Sequence, residues 1–175
     1  MPATIVISDS RNERTFMTAI FLDVDGVLNC LSTKEFIPGT EIFGVEDEKA
    51  AILKRISDLA GGALIVLTST WKMTWEKDGP KDFDSEYLVR KLADHGLTIS
   101  DKTDDDWTDR GAGILRYLDA HPEITSFLIL DDQAFDFKAL RLKKYLIRTS
   151  FAANGGLNER HVWQAERILK AQKAL

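Results

Sequence analysis

Hydrophobic positions fall along this chain in short, dense runs set between stretches of helical spacing. Thr18-Ala19-Ile20-Phe21-Leu22 and Ala63-Leu64-Ile65-Val66-Leu67 are almost continuously apolar, and Ser126-Phe127-Leu128-Ile129-Leu130 is similar. Such runs predict strands buried on both faces. Leu97-Thr98-Ile99-Ser100 and Tyr145-Leu146-Ile147-Arg148-Thr149 predict shorter strands, as does Thr4-Ile5-Val6-Ile7-Ser8. Between them, Ile52, Leu53, Ile56 and Leu59 mark a helix over 46–60 that stops at Gly61-Gly62. A second helix is predicted over 85–95, with Asp84 or Ser85 as its cap and Gly96 as its stop. Ile114, Leu115 and Leu118 share one face of a third over 110–120, and Asn158 caps a fourth reaching about Lys173. Pro38, Gly39 and Gly44 make 29–45 an irregular excursion or small hairpin, and 101–109 reads as an acidic loop. Strands alternating with helices predict an α/β fold: a Rossmann-like three-layer sandwich with a mainly parallel sheet. Residues 1–16 read as an N-terminal extension with a short extra strand, and 17–175 as one domain.

Composition narrows the class. The chain has 175 residues, 44% hydrophobic and 29% charged, which is ordinary for one folded domain. Its 23 Lys and Arg against 28 Asp and Glu give a formal charge of −5. That balance argues against sequence-independent coating of nucleic acid but leaves room for a local basic groove. The single cysteine, Cys30, excludes an internal disulfide and a cysteine zinc cluster, and points to a reducing cytoplasm. No apolar run approaches the length of a membrane span, and the N-terminus lacks the pattern of a signal peptide. No membrane partner is therefore expected.

The chemistry gathers at strand ends. Three apolar runs terminate in Asp23/Asp25, Thr68/Ser69 and Asp131/Asp132. In an open parallel sheet the carboxyl ends of the strands share one edge, and ligands bind where the strand order reverses. Carboxylates brought together there repel one another unless a hard cation with oxygen ligands joins them. Mg2+ suits such a site, since it prefers one or two carboxylates plus waters and phosphate. The Thr68 hydroxyl and Arg110, at the start of its helix, would complete a phosphate site.

Phe21-Leu22-Asp23-Val24-Asp25-Gly26-Val27-Leu28-Asn29 resembles the first motif of the haloacid dehalogenase (HAD) superfamily. Leu67-Thr68 looks like its second motif, Arg110 stands in place of the third-motif Lys or Arg, and Leu130-Asp131-Asp132 is similar to its fourth. Trp71, just past the second motif, and the Gly155-Gly156-Leu157-Asn158 lead-in to the last helix resemble the HAD domain of Swiss-army-knife RNA repair proteins. The resemblance implies a phosphatase. Asp23 would be the nucleophile forming an aspartyl-phosphate, and Asp25 the general acid and then base. Thr68 would hydrogen-bond the phosphoryl group, with Ser69, Gly26 and Lys72 as further substrate contacts, and Arg110 would offset charge. Mg2+ would be held by Asp23, the Asp25 carbonyl, and Asp131 or Asp132. Asp136, four residues after Asp132, is either an acid supporting that site or an exposed loop acid.

The stretches after the first and second motifs are too short for a cap domain, so a capless site with a small flap is implied. Capless relatives frequently act on large substrates. Nucleic-acid phosphate ends and nucleotides are the expected substrates; a small phosphometabolite, transfer to an acceptor alcohol, or a catalytically silent binding module are the alternatives. Trp71, Lys72 and Trp75 either stack a base and steer a phosphate at the rim or pack a helix against the sheet. Asp104-Asp105-Asp106 reads as a solvated acidic turn. Cys30 reads as buried, and His95, His121 and His161 as structural or exposed.

Overall fold

A computed structural model describes residues 17–106 and 108–174. The predicted N-terminal strand at 4–8 lies outside the described residues. Within them, seven strands and four α-helices succeed one another along the chain. They are β1 (Met17–Leu22), α1 (Asp47–Leu59), β2 (Leu64–Leu67), β3 (Trp75–Glu76), β4 (Gly79–Pro80) and α2 (Phe83–Asp94). Then come β5 (Ile99–Lys102), α3 (Arg110–Ala120), β6 (Ile124–Asp131), β7 (Leu146–Arg148) and α4 (Glu159–Lys173). The main sheet has the order β5-β2-β1-β6-β7, all pairs parallel, and β3 and β4 form a separate small hairpin.

The apolar runs are buried on both faces, as their composition requires. Ile20 and Leu22 face a core completed by α1, α2 and α4; Ala19 and Phe21 face one built from α3 and from Phe137 and Leu142. Period-two alternation along β1 thus feeds two layers of helix, the three-layer sandwich expected. Among the described residues no cap domain is inserted. The 29–45 excursion is a flap, closed by a bridge between Phe36 and Phe43 and by the Ile37 N–H donating to the Ile42 carbonyl.

Several boundaries depart from the sequence expectation, β6 among them, which begins at Ile124. Helix α2 starts earlier, because Asp82 rather than Asp84 or Ser85 is its cap. The Asp82 carboxylate accepts from the Ser85 N–H at 2.8 Å, and the Ser85 hydroxyl answers within the same capping box. Strand β5 starts later, because Leu97 belongs to the helix stop: its N–H donates to the Leu92 carbonyl at 3.0 Å. Asp101 and Lys102, read as loop, instead extend the strand beside Val66 and Leu67.

Helix α4 begins as expected at Asn158, and its cap explains one histidine. His161 Nδ1 accepts the Asn158 N–H, and the ring is fully buried. Burial, with Arg160 beside it, pushes its pKa down to about 4, so it sits neutral in the fold. His95 pairs with Asp47 and His121 with Glu123. Cys30 is buried. Among the described residues no helix is long and apolar enough to cross a membrane.

Candidate active site

Register explains how distant positions meet. Leu22, the last residue of β1, lies beside Leu67 of β2 and Leu130 of β6. The next residue of each strand therefore shares one edge: Asp23, Thr68 and Asp131. The Asp23 N–H donates to the Leu130 carbonyl, and the Thr68 N–H to the Leu22 carbonyl, both at 2.9 Å. β1 is flanked by β2 on one side and β6 on the other, so Asp23 stands where the strand order reverses.

Asp23, Asp131 and Asp132 each bring a carboxylate oxygen within 4.8 Å of the others'. One cation is set among them. Arg110 Nη1 lies 3.0 Å from Asp23 Oδ1 and 2.7 Å from Asp131 Oδ2. Asp131 is fully buried, and its other oxygen accepts the Gln133 N–H at 2.8 Å. Both its oxygens are thus engaged inside the protein. Burial, with Asp131 opposite, holds the Asp23 carboxyl above the usual carboxylate range despite Arg110. Burial likewise raises Asp131 against Arg110 and the Gln133 amide. Asp132, half-buried, is raised by burial and by Asp25. A single guanidinium therefore leaves this carboxylate cluster short of positive charge. The carboxylates of Asp23 and Asp132, hard oxygen donors in that state, fit a divalent cation such as Mg2+, with Asp131 held beside them.

Gly26 lets Asp132 come this close. It has φ +80°, and a Cβ built there would stand 2.6 Å from the Asp132 Cβ. Its N–H is occupied by the Asn29 side-chain oxygen at 3.0 Å, so Gly26 shapes the turn rather than offering a free amide. Asn29 also donates to Asp25 Oδ1 at 2.8 Å, and the Trp71 indole N–H donates to Asp25 Oδ2 at 2.9 Å. The Asp25 carboxylate is thus held from two sides and stands apart from the three-carboxylate cluster.

Asp23, Asp25, Arg110 and Asp132 line a cleft of about 420 Å3 walled by Phe135 and Phe151. The Arg110 guanidinium lies 4.5 Å over the Phe135 ring. Phe135 itself has φ +33°, a conformation costly for a side chain of its size. Thr68 opens on an adjoining cavity of about 60 Å3 that Arg110 also lines. Its hydroxyl is buried and has no hydrogen-bond partner among the described residues. An unpaired buried hydroxyl is costly unless something else completes it, and a phosphoryl oxygen fits that role. Ser69 caps the 3-10 turn Thr70–Met73, its hydroxyl oxygen accepting the Trp71 N–H.

Lys72, predicted as a substrate contact, lines the small cavity beside Thr68 with its ammonium paired inside the fold. It is buried, with Nζ 2.8 Å from Asp105 and hydrogen-bonded to the Thr103 hydroxyl. Its charge is already matched inside the fold. This also corrects the reading of Asp104-Asp105-Asp106 as solvated throughout: Asp104 is exposed and paired with Arg116, whereas Asp105 is buried. Trp75 packs in the core, the plainer of the two roles considered for it.

Asp136, read as either an acid supporting the site or an exposed loop acid, is not an idle loop acid. Its carboxylate accepts the Gly111 N–H at 2.7 Å and the Ala112 N–H at 3.0 Å. Asp109, the local N-cap residue of α3, makes no such bond. A residue from the β6 side thus caps the helix that carries Arg110. Gly111 permits it, since a Cβ there would lie 2.6 Å from Asp136 Oδ1. Asp136→Ala is expected to destabilise the protein by about 1–2 kcal/mol, with Asp136→Asn losing less. Urea unfolding of the three proteins checks this.

A parallel sheet with this carboxylate–arginine cluster at its switch point is the architecture of a HAD-type α/β domain. Over residues 19–162 the chain matches the family model for the HAD domain in Swiss Army Knife RNA repair proteins, and it belongs to that family. No curated protein and no solved structure matches it. Family membership suggests a phosphohydrolase of the HAD type.

Proposed function

We propose that the chain is a Mg2+-dependent phosphohydrolase that works through an aspartyl-phosphate on Asp23, with nucleic-acid phosphate ends or nucleotides as substrates. The observation that carries this reading is the set around Asp23: a charge-deficient carboxylate cluster, one bridging arginine, and the unpaired Thr68 hydroxyl at the same edge. Asp23 and Asp132 would hold the cation, with Asp131 fixed beside them by Arg110. When bound, the cation supplies the positive charge that holds Asp23 ionised and neutralises phosphoryl oxygens.

The remaining steps belong to the chain. An Asp23 carboxylate oxygen attacks phosphorus in line, and the bond from phosphorus to the leaving oxygen breaks. Asp25 delivers its proton to that oxygen. Asp25, now a carboxylate, takes a proton from water as the water oxygen attacks phosphorus, which releases phosphate and restores Asp23. Arg110 and the Thr68 hydroxyl stabilise the phosphoryl oxygens throughout. Trp71 and Asn29 keep Asp25 in the orientation both proton transfers need. Trp71→Phe keeps the ring and removes the donor. It is expected to lower kcat by roughly tenfold with KM little changed, as loss of one orienting hydrogen bond implies. Steady-state kinetics on an aryl phosphate measures this.

Aromatic rings support a nucleobase beside the phosphate. Phe151 in the cleft wall packs edge-on against Phe43, which stacks on the half-exposed Phe36. The test is phosphate release from an aryl phosphate, nucleoside 5′- and 3′-monophosphates, and oligonucleotides phosphorylated at either end. Mg2+-dependent release fastest from nucleotides or oligonucleotides supports the reading. Equal or faster release from the aryl phosphate removes the nucleic-acid assignment, and no release from any substrate removes the phosphatase.

A further inference from the structure

The charge of this chain is strongly segregated. Residues 137–175 carry nine Lys and Arg against two acids, net +7, whereas residues 1–136 carry 14 against 26, net −12. All nine bases are exposed. Among the described residues, Lys170 with Glu166 is the one ion pair any of them makes. An acidic protein has therefore gathered its unmatched positive charge on β7, α4 and the segment 138–144 that leads into β7.

The shape of that region is specific. β7 and α4 enclose a cleft of about 470 Å3 walled by Lys144, Arg148, Arg167, Tyr145, Ile168 and Gln172. Lys144 lies 4.9 Å over the Tyr145 ring. Around α4, the outer wall leads from Gln164 to Arg160 and Arg167 and then to Trp163, positions three and four apart on one helix surface. Trp163, on the same helix, is 76% exposed and presents its indole to solvent. One residue of the cleft, Arg148, links it to the candidate active site. Arg148 pairs in register with Asp131, and its Nε donates to the Asp132 carbonyl at 3.3 Å.

We propose that this face docks single-stranded nucleic acid, whose end then reaches the Asp23 centre. The inference deepens the reading of that centre as a phosphatase of nucleic-acid ends and rests on it for the direction of the strand. Cations interleaved with a flat exposed indole match the alternation of phosphate and base along an unpaired strand. A duplex keeps its bases stacked inside and offers none to an indole. A lipid surface is disfavoured because the helix face is polar on both sides of Trp163, with Arg160, Gln164 and Arg167 on one side and Lys170, Glu159 and Glu166 on the other.

The test is fluorescence anisotropy with a labelled single-stranded RNA of about 12 nucleotides, hydroxyl at both ends, within the site sizes such surfaces show. Because this probe carries no terminal phosphate, the result does not depend on hydrolysis. Binding that weakens with salt is expected. Lys144→Ala, Arg160→Ala and Arg167→Ala should each lower affinity and together flatten the salt dependence by about one unit of slope per contact removed. Trp163→Ala should weaken binding roughly tenfold and Trp163→Phe much less. Lys77→Ala, on the acidic part of the chain, should change nothing. Circular dichroism establishes that each variant is folded. The proposal is overturned by no binding, by binding that ignores these variants, or by polyglutamate displacing the RNA as well as polyuridylate does. A protein that binds the RNA and hydrolyses no phosphoester keeps this inference and loses the phosphatase.

Discussion

Asp23→Asn is expected to abolish phosphate release, by roughly 10^4-fold or more, since it removes the attacking oxygen and leaves no substitute within the cluster. It should do so while leaving the free protein folded and more stable at pH 8. Asp23 has its carboxyl held above its ordinary range by burial and by Asp131. The fold therefore binds a proton that the unfolded chain releases as pH rises past about 4. Stability of the free protein falls from about pH 4 up to about pH 7, and the asparagine variant escapes the part of the fall due to Asp23. Melting curves across pH should diverge above about pH 4 and coincide below it, where both states of the natural protein are protonated. Added Mg2+ should raise the melting temperature of the natural protein at pH 8 and leave the variant nearly unmoved. A variant with unchanged turnover, or one that is less stable at pH 8, contradicts the role given to Asp23.

Arg110→Ala is expected to lose activity by roughly 10^3-fold, because it removes the cation from developing phosphoryl charge. It should also destabilise the free protein by about 3–5 kcal/mol at neutral pH, since it strands buried Asp23 and Asp131 together without their counter-charge. Arg110→Lys is the informative comparison. A single nitrogen, Nη1, reaches both Asp23 and Asp131, and the rest of the guanidinium lies over Phe135. An ammonium can make that bridge but not that stack. The lysine variant should therefore keep activity within roughly tenfold, losing mainly the contact with Phe135. Kinetics and urea unfolding of the two variants measure both effects. Equal losses in Lys and Ala variants would mean that planar geometry, rather than bridging charge, is what the site needs.

Much of this arrangement was legible in the sequence for one physical reason. Strands buried on both faces are continuously apolar, so Ile20–Leu22, Ile65–Leu67 and Leu128–Leu130 stand out, and a parallel register makes their next residues neighbours. Asp23, Thr68 and Asp131 came together from that alone. The span Arg110–Ala120 was also plain, because its apolar spacing is clean. What stayed hidden was decided by contacts distant in sequence. Asp136 showed its spacing from Asp132, but capping of α3 depends on a loop folding back across the sheet. Gly111, a glycine in a helical first turn, was the one available hint. Lys72 sits near Ser69 in sequence yet finds its partner in Asp105, on a segment no local pattern connects to it. The Trp71 indole both packs and donates to Asp25, and nothing in spacing separates those roles. Phe135 and Phe151 carried no signal, since an aromatic residue in a loop looks the same whether it walls a cleft or not.

The Asp23 centre and the basic face solve different problems. The centre is compact and buried, and on the proposed reading it takes the phosphoryl group, with Phe151 in the cleft wall beside it. The β7–α4 face is open and extended, so it can recognise a strand without touching the phosphoryl group at its end. An acidic protein with no cap domain among its described residues needs some such division if it is to hold a polyanion.

The most direct test of the central claim is an acid-quenched single turnover with Mg2+ and a phosphorylated oligonucleotide, then peptide mass spectrometry. The expected result is a transient phosphoryl group on the peptide containing Asp23, absent with a chelator and absent in Asp23→Asn. Phosphate release with no adduct at Asp23 at any time, together with undiminished turnover by Asp23→Asn, would contradict it.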